Sequence, residues 1–140
     1  MIDSHTHLNF EAFADDWEEV VERSLEAGVK RMIVVGTDVE SSNRAVEMAE
    51  KDKHLFAAVG IHPHHARDIT VINNIKIIRK LAEHPRVVAV GEIGLDYHNY
   101  KITKYPITND QESEKLKNLQ KQLLGAQIQI AKEVDKPVML

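Results

Sequence analysis

The sequence predicts a parallel α/β fold, and three observations carry that expectation. Short, nearly continuous apolar runs recur along the chain, amphipathic segments of helical periodicity separate them, and the unit repeats at roughly the 30-residue spacing of a strand with its crossover helix. Apolar runs without polar alternation are what strands buried on both faces require. An open doubly wound sheet and a (β/α)₈ barrel both satisfy the pattern, and the 140 residues fall well below the roughly 250 of a full barrel.

A very short strand, Met1 to His5, opens the chain. Trp17, Val20, Val21, Ser24 and Leu25 follow at helical spacing, and Gly28 ends that helix. Arg31-Met-Ile-Val-Val-Gly36 is the second strand, after which Asp38 or Ser41 caps a helix carrying Ala45, Met48 and Ala49. Leu55-Phe-Ala-Ala-Val-Gly60 is the third strand. Thr70 caps a helix with Ile72, Ile75, Ile78, Leu81 and Ala82 on one stripe, and Pro85 stops it. Arg86-Val-Val-Ala-Val-Gly91 is the fourth strand and runs into Glu92. A polar loop from Tyr97 to Asp110 leads to a long helix whose Leu116, Leu119, Leu123, Ala126 and Ile130 form a packing face, a pattern too brief for a coiled coil. Pro137-Val-Met-Leu140 reads as the start of a fifth strand.

Apolar residues make up 43% and charged residues 29%, the balance of a soluble globular protein. A net charge of −4 gives no global positive field for nucleic acid, although bound divalent cations would reverse the potential locally. The chain has no cysteine, which excludes disulfides and thiolate metal sites and leaves imidazole and carboxylate as metal ligands. Neither an apolar leader nor a membrane-length apolar run is present in the chain as given, so the expectation is a cytoplasmic protein without membrane contact.

Function in parallel α/β folds gathers at the carboxyl ends of the strands. His5, His7, His62, His64, His65 and His98 fall in or just after strand ends, whereas His54 and His84 fall at the opposite ends, where capping or solvated roles are ordinary. In the string Asp3-Ser-His5-Thr-His7, alternate residues share a face, so two imidazoles can bind one cation and Asp3 can orient one of them. The bland alternative is a polar strand end. Glu92 emerges from a buried strand, and a buried carboxylate must be paired, protonated or metal-bound; its alternative is a structural Glu bonded to backbone amides. Gly91 and Gly94 would allow close approach of the backbone to a ligand or to packed neighbours. His62, His64 and His65 around Pro63 suit phosphate or substrate contact as well as metal, against a histidine-rich surface loop. Asp96 has three readings: an outer partner of a ligand, a turn residue or a cap. Tyr97, Tyr100 and Tyr105 with Lys101 and Lys104 interleave aromatic faces and cations, as stacked bases and phosphates would need, or form an exposed loop.

Ile2-Asp3-Ser4-His5-Thr6-His7, Gly60-Ile-His62-Pro-His64 and Gly91-Glu92-Ile-Gly94-Leu-Asp96-Tyr97 together resemble the TatD family of metal-dependent hydrolases, described as deoxyribonucleases. Their order and spacing agree with the family along essentially the whole chain, and Gln111 and Lys136-Pro137-Val138 match its fourth helix and fifth strand. The Gly-Glu-Ile-Gly-Leu-Asp string is fairly specific, whereas His-x-His alone fits many amidohydrolases and other phosphoesterases. The resemblance implies a TIM barrel, here a half barrel of four βα units plus the start of a fifth strand, so that residues 1–140 are the N-terminal portion of one barrel domain. It also implies two divalent cations (Zn, Mn or Mg), with His5 and His7 on the first and Glu92 as the catalytic carboxylate bridging both. His62, His64, Asp96 and Tyr97 would lie on the substrate side, and DNA or another phosphodiester would be cleaved by metal-activated water.

Family members are longer, and their remaining part supplies two further histidines and an aspartate, so the metal site is expected to be incomplete in these residues. A half barrel would expose an apolar inner face, through which a homodimer could form. Two other readings stand beside the nuclease. An amidohydrolase acting on C–N bonds shares the His-x-His start but usually has a bridging lysine where this chain has Glu92. A non-catalytic assembly module would need neither metal nor substrate.

Overall fold

The computed structural model describes residues 1–67, 71–98 and 109–140. Strands β1 (Ile2–Thr6), β2 (Arg31–Val35), β3 (Leu55–Val59) and β4 (Val87–Val90) form one parallel sheet in the order β1-β2-β3-β4. That order fits the barrel of the two architectures periodicity left open. A doubly wound sheet reverses at a switch point, whereas strands laid down in sequence order build the wall of a barrel. Pro137 to Leu140 extends the wall: Val138 bridges Val90 in parallel, the Val90 N–H donates to Pro137 O at 2.9 Å, and the Met139 N–H donates to Val90 O at 3.0 Å.

Helices α1 (Trp17–Glu26), α2 (Val39–Lys51), α3 (Val71–Ala82) and α4 (Asp110–Glu133) connect these strands. Gly28 follows α1 with φ +92°, a backbone conformation that costs glycine nothing, and its N–H donates to Leu25 O at 3.0 Å. Asp38 and Ser41 both cap α2. The Ser41 N–H donates to Asp38 Oδ1 at 2.8 Å, and the Asp38 N–H donates back to Ser41 Oγ at 3.0 Å. Helix α3 ends at Ala82, ahead of Pro85, and Asn109 caps α4 by accepting from the Glu112 N–H at 2.9 Å. The expected Thr70 cap, the Ile72 side chain, and Tyr100, Lys101, Lys104 and Tyr105 lie outside what the structure describes.

The sheet separates two apolar layers. Met32, Val34, Leu55, Ala57, Val59 and Val87 face the helices and meet Ala45, Met48, Ala49, Ile78, Ala82, Leu123 and Ile130. Each fully buried aliphatic side chain here contributes about 1.5–3 kcal/mol. The opposite face carries Val35, Ala58 and Ala89 with Ile33 and Met139, the side that becomes the interior of a barrel. Gly91 sits where this wall is tightest, since a Cβ there would lie 2.6 Å from both Met139 Cβ and its carbonyl oxygen. Gly94 differs from the expectation of close approach: a Cβ there would meet nothing within 4 Å.

Candidate metal centre

The strand ends converge on one point. His5 and His7 leave the end of β1, and Glu92 stands two residues past β4. Alternation along the extended chain turns both imidazoles the same way, as the sequence suggested. Their Nε2 atoms lie 3.2 Å apart, and Glu92 Oε2 lies 3.4 Å from His5 Nε2 and 3.9 Å from His7 Nε2. His5, His7 and Glu92 thereby form a group, among the described residues, whose ligand atoms all lie within 4.8 Å of one another. The spacing is that of a shared ion: two nitrogens each about 2.0–2.1 Å from one tetrahedral cation stand about 3.3 Å apart.

The orientation of His7 comes from its surroundings. Its Nδ1 is 3.1 Å from Val35 O, an acceptor only, so Nδ1 carries the proton and Nε2 presents its lone pair to the cluster. The Phe10 ring stacks on the His7 ring at 4.5 Å between centroids and 18° between planes. Buried Asn9 donates to Val35 O at 3.0 Å and to Ser41 O at 2.8 Å, holding the loop after β1 against the start of α2. Asp3 does not orient an imidazole as expected: its Oδ1 accepts from the His5 backbone N–H at 3.1 Å, because a carboxylate two residues back reaches the main chain more readily than the ring.

The two later loops meet beside this trio. His62 Nε2 lies 3.8 Å from Glu92 Oε1, so the Glu92 carboxylate faces His5 and His7 with one oxygen and His62 with the other. His62 Nδ1 accepts from the His64 N–H at 3.2 Å, which puts the His62 proton on Nε2. Burial pushes the His62 imidazole below its ordinary value, the neighbouring His64 adds to the effect and Glu92 opposes it, so the ring is neutral at pH 7. His64 Nε2 pairs with Asp96 Oδ2 at 2.6 Å, while Asp96 Oδ1 accepts from the His98 N–H at 2.9 Å. Asp96 is therefore both a turn residue and an imidazole partner. A cavity of about 430 Å³ beside the trio is lined by His62, Glu92 and Asp96 together with Leu95, Leu124 and Leu140. Tyr97 stands apart from the trio, half-exposed against α4 with Lys117 Nζ 5.7 Å from its ring centroid.

The family model described as TatD related DNase matches residues 2–140. The chain belongs to this family. Family relatives include a metal-dependent hydrolase of Bacillus subtilis, YabD, 39% identical over 140 residues covering 100% of this chain and 49% of YabD. The 3'-5' ssDNA/RNA exonuclease TatD of Salmonella typhimurium is 34% identical, over 100% of this chain and 48% of its own length. Among solved structures, the TatD homologue YjjV of Escherichia coli superposes with a TM-score of 0.79 at 33% identity, over 99% of this chain and 49% of that one. The likeness extends the sequential strand order to the TatD barrel. The chain spans about half the length of the curated relatives it matches.

Sequence reasoning missed Val35, Asn9 and Phe10, and it also missed Gln120 and Gln127, which α4 buries behind the two later loops. The glutamines left a readable trace, because they interrupt the apolar series Leu116, Leu123 and Ile130 at positions where solvated residues do not belong. The carbonyl of Val35 left none.

Proposed function

We propose that this chain carries the His5, His7 and Glu92 part of a two-cation centre that hydrolyses phosphodiester bonds of nucleic acid, DNA in the first instance. The observation that supports it is the convergence of His5 Nε2, His7 Nε2 and Glu92 Oε2 at the carboxyl end of a parallel sheet. Zinc, manganese and magnesium all suit an imidazole and carboxylate set. When bound, such ions polarise the phosphoryl group and lower the pKa of water.

The residues divide the remaining work. His5 and His7 would hold the first ion, with Val35 O fixing the His7 proton on Nδ1 and leaving Nε2 free to bind. Glu92 directs its two oxygens to different sides, the arrangement a bridging carboxylate needs. His62, with its N–H on the Nε2 that lies 3.8 Å from Glu92 Oε1, would donate to a phosphate oxygen bound beside that carboxylate. His64, oriented by Asp96, stands on the substrate side, whereas Tyr97, set against α4 beside Lys117, would meet substrate only beyond the cation site.

Incubating the purified chain with a labelled single-stranded oligodeoxynucleotide and manganese, magnesium or zinc tests the reading. Expected is cleavage that chelator abolishes and that Glu92→Ala lowers by at least about a hundredfold. Equal absence of cleavage in both proteins rejects catalysis by these residues.

A cytoplasmic location is part of the same proposal, tested by cell fractionation. Among the described residues no helix is long and apolar enough to cross a membrane. We also propose that two copies associate along the margins of the inner sheet face, where Ile2, Val138 and Leu140 are exposed; its centre is not the open apolar surface expected, because Val35, Ala58 and Ala89 are buried within the chain. Sedimentation equilibrium should return twice the 15.9 kDa chain mass, and a single-chain mass at all concentrations rejects the dimer.

A further inference from the structure

We propose that Gln120 and Gln127 are positioning residues that set the spacing of the His62–His64 loop and the Glu92–Asp96 loop. Both glutamines are almost wholly buried, at 1% and 0% exposed, within an otherwise apolar helix face. A primary amide has no place in such a face unless its donors and acceptor are used, because an unpaired buried amide is costly.

Each glutamine grips a loop backbone at two points. Gln127 Oε1 accepts from the Ile61 N–H at 2.7 Å, and its Nε2 donates to Ile61 O at 3.0 Å, immediately before His62. Gln120 Oε1 accepts from the Asp96 N–H at 2.9 Å, and its Nε2 donates to Asp96 O at 2.7 Å. The same Nε2 lies 3.3 Å from Pro63 O, between His62 and His64, so one amide holds both loops. The His64 Nε2 to Asp96 Oδ2 pair spans those two loops. Two helical turns separate the glutamines, placing them on one face about 10 Å apart, with α4 acting as a rigid spacer.

This arrangement mimics strand pairing at Ile61 and Asp96. Past the ends of β3 and β4 the chains need partners for their backbone groups, and the two side-chain amides supply N–H and C=O in the pattern a neighbouring strand would. Leucine or methionine would fill the volume equally well, so packing does not explain the choice of glutamine. That the loops meet substrate rests on the function proposed above, whereas the spacing role does not.

Hydrogen exchange on the unmodified 140-residue chain is the first test. The Ile61 and Asp96 amide protons should be protected to within about tenfold of Val59 in β3, and exchange at the rate of an open loop would overturn the proposal. The second test is Gln120→Glu, which keeps an acceptor for the Asp96 N–H but loses the donor to Asp96 O and Pro63 O. In the folded variant the downfield imidazole proton of His64 should be lost, and affinity for a fluorescent oligodeoxynucleotide should fall about tenfold. Manganese affinity at His5, His7 and Glu92 should stay within about twofold, as Gln120 bonds none of them. An unchanged His64 resonance in a folded variant would reduce Gln120 to a core residue and overturn the role. If the unmodified chain binds no oligonucleotide, the substrate reading fails, while amide protection and the His64 resonance still decide the spacing role.

Discussion

The Val35 side chain packs with Ala58 and Ala89, while its carbonyl oxygen accepts from both the His7 ring and the Asn9 amide. The tautomer of His7, with its proton on Nδ1, is thus a property of β2 as much as of β1. Phe10 acts from the other direction, lying flat on the His7 ring. Replacing it by alanine should free that ring and weaken zinc binding about fivefold, the equivalent of about 1 kcal/mol of aromatic contact, with Phe10→Tyr retaining wild-type affinity. Calorimetric titration of the two variants measures this, and equal affinities would remove Phe10 from the account. At this scale the meeting of His5, His7 and Glu92 was legible, because two imidazoles at alternate positions and a carboxylate leaving a buried strand are unusual in sequence. Their supports were not, since a backbone carbonyl has no residue signature. Asp3 shows the opposite failure: it shares a face with His5 and His7 in an ideal strand, but a nearer main-chain donor captures its carboxylate.

The elements were legible wherever a cap or a breaker marked them. Asp38 and Ser41 looked like competing caps for α2 and proved to be the two halves of one reciprocal pair. Burial by itself pushes the Asp38 carboxyl up, but the Ser41 hydroxyl and backbone N–H, with His65 and Arg44 nearby, together hold it below its ordinary value of 3.8. Because the folded chain favours the ionised form, the stabilisation is fully present above pH 3.8 and is lost as pH falls through the folded value. Asp38→Asn keeps the cap without a titrating group, so its melting temperature should fall less steeply than wild type below about pH 4, while Asp38→Ala should cost about 1 kcal/mol at pH 7. Parallel acid limbs for wild type and Asp38→Asn would show that Asp38 does not titrate in this window. Helix α4 was legible as an amphipathic face but not as a polar one. Reading its apolar positions alone hides Gln120 and Gln127, whose value lies in loops that are distant in sequence.

For the molecule as a whole, periodicity gave a parallel α/β fold and no more, because a strand with its helix has the same local pattern in a barrel as in an open sheet. The distinction lies in strand order, which depends on where each crossover lands. The β1-β2-β3-β4 order and the superposition on YjjV give the barrel wall. The strand ends of that wall bring His5, His7 and Glu92 together from opposite ends of the sheet, along with His62. The central claim is that this convergence is a cation site. Isothermal titration of zinc into the purified chain, repeated with Glu92→Gln and His7→Ala, tests it most directly. A cation site requires saturable binding to the unmodified chain and at least about tenfold weaker binding in each variant. Binding of equal strength in all three proteins, or none in the unmodified chain, would contradict it.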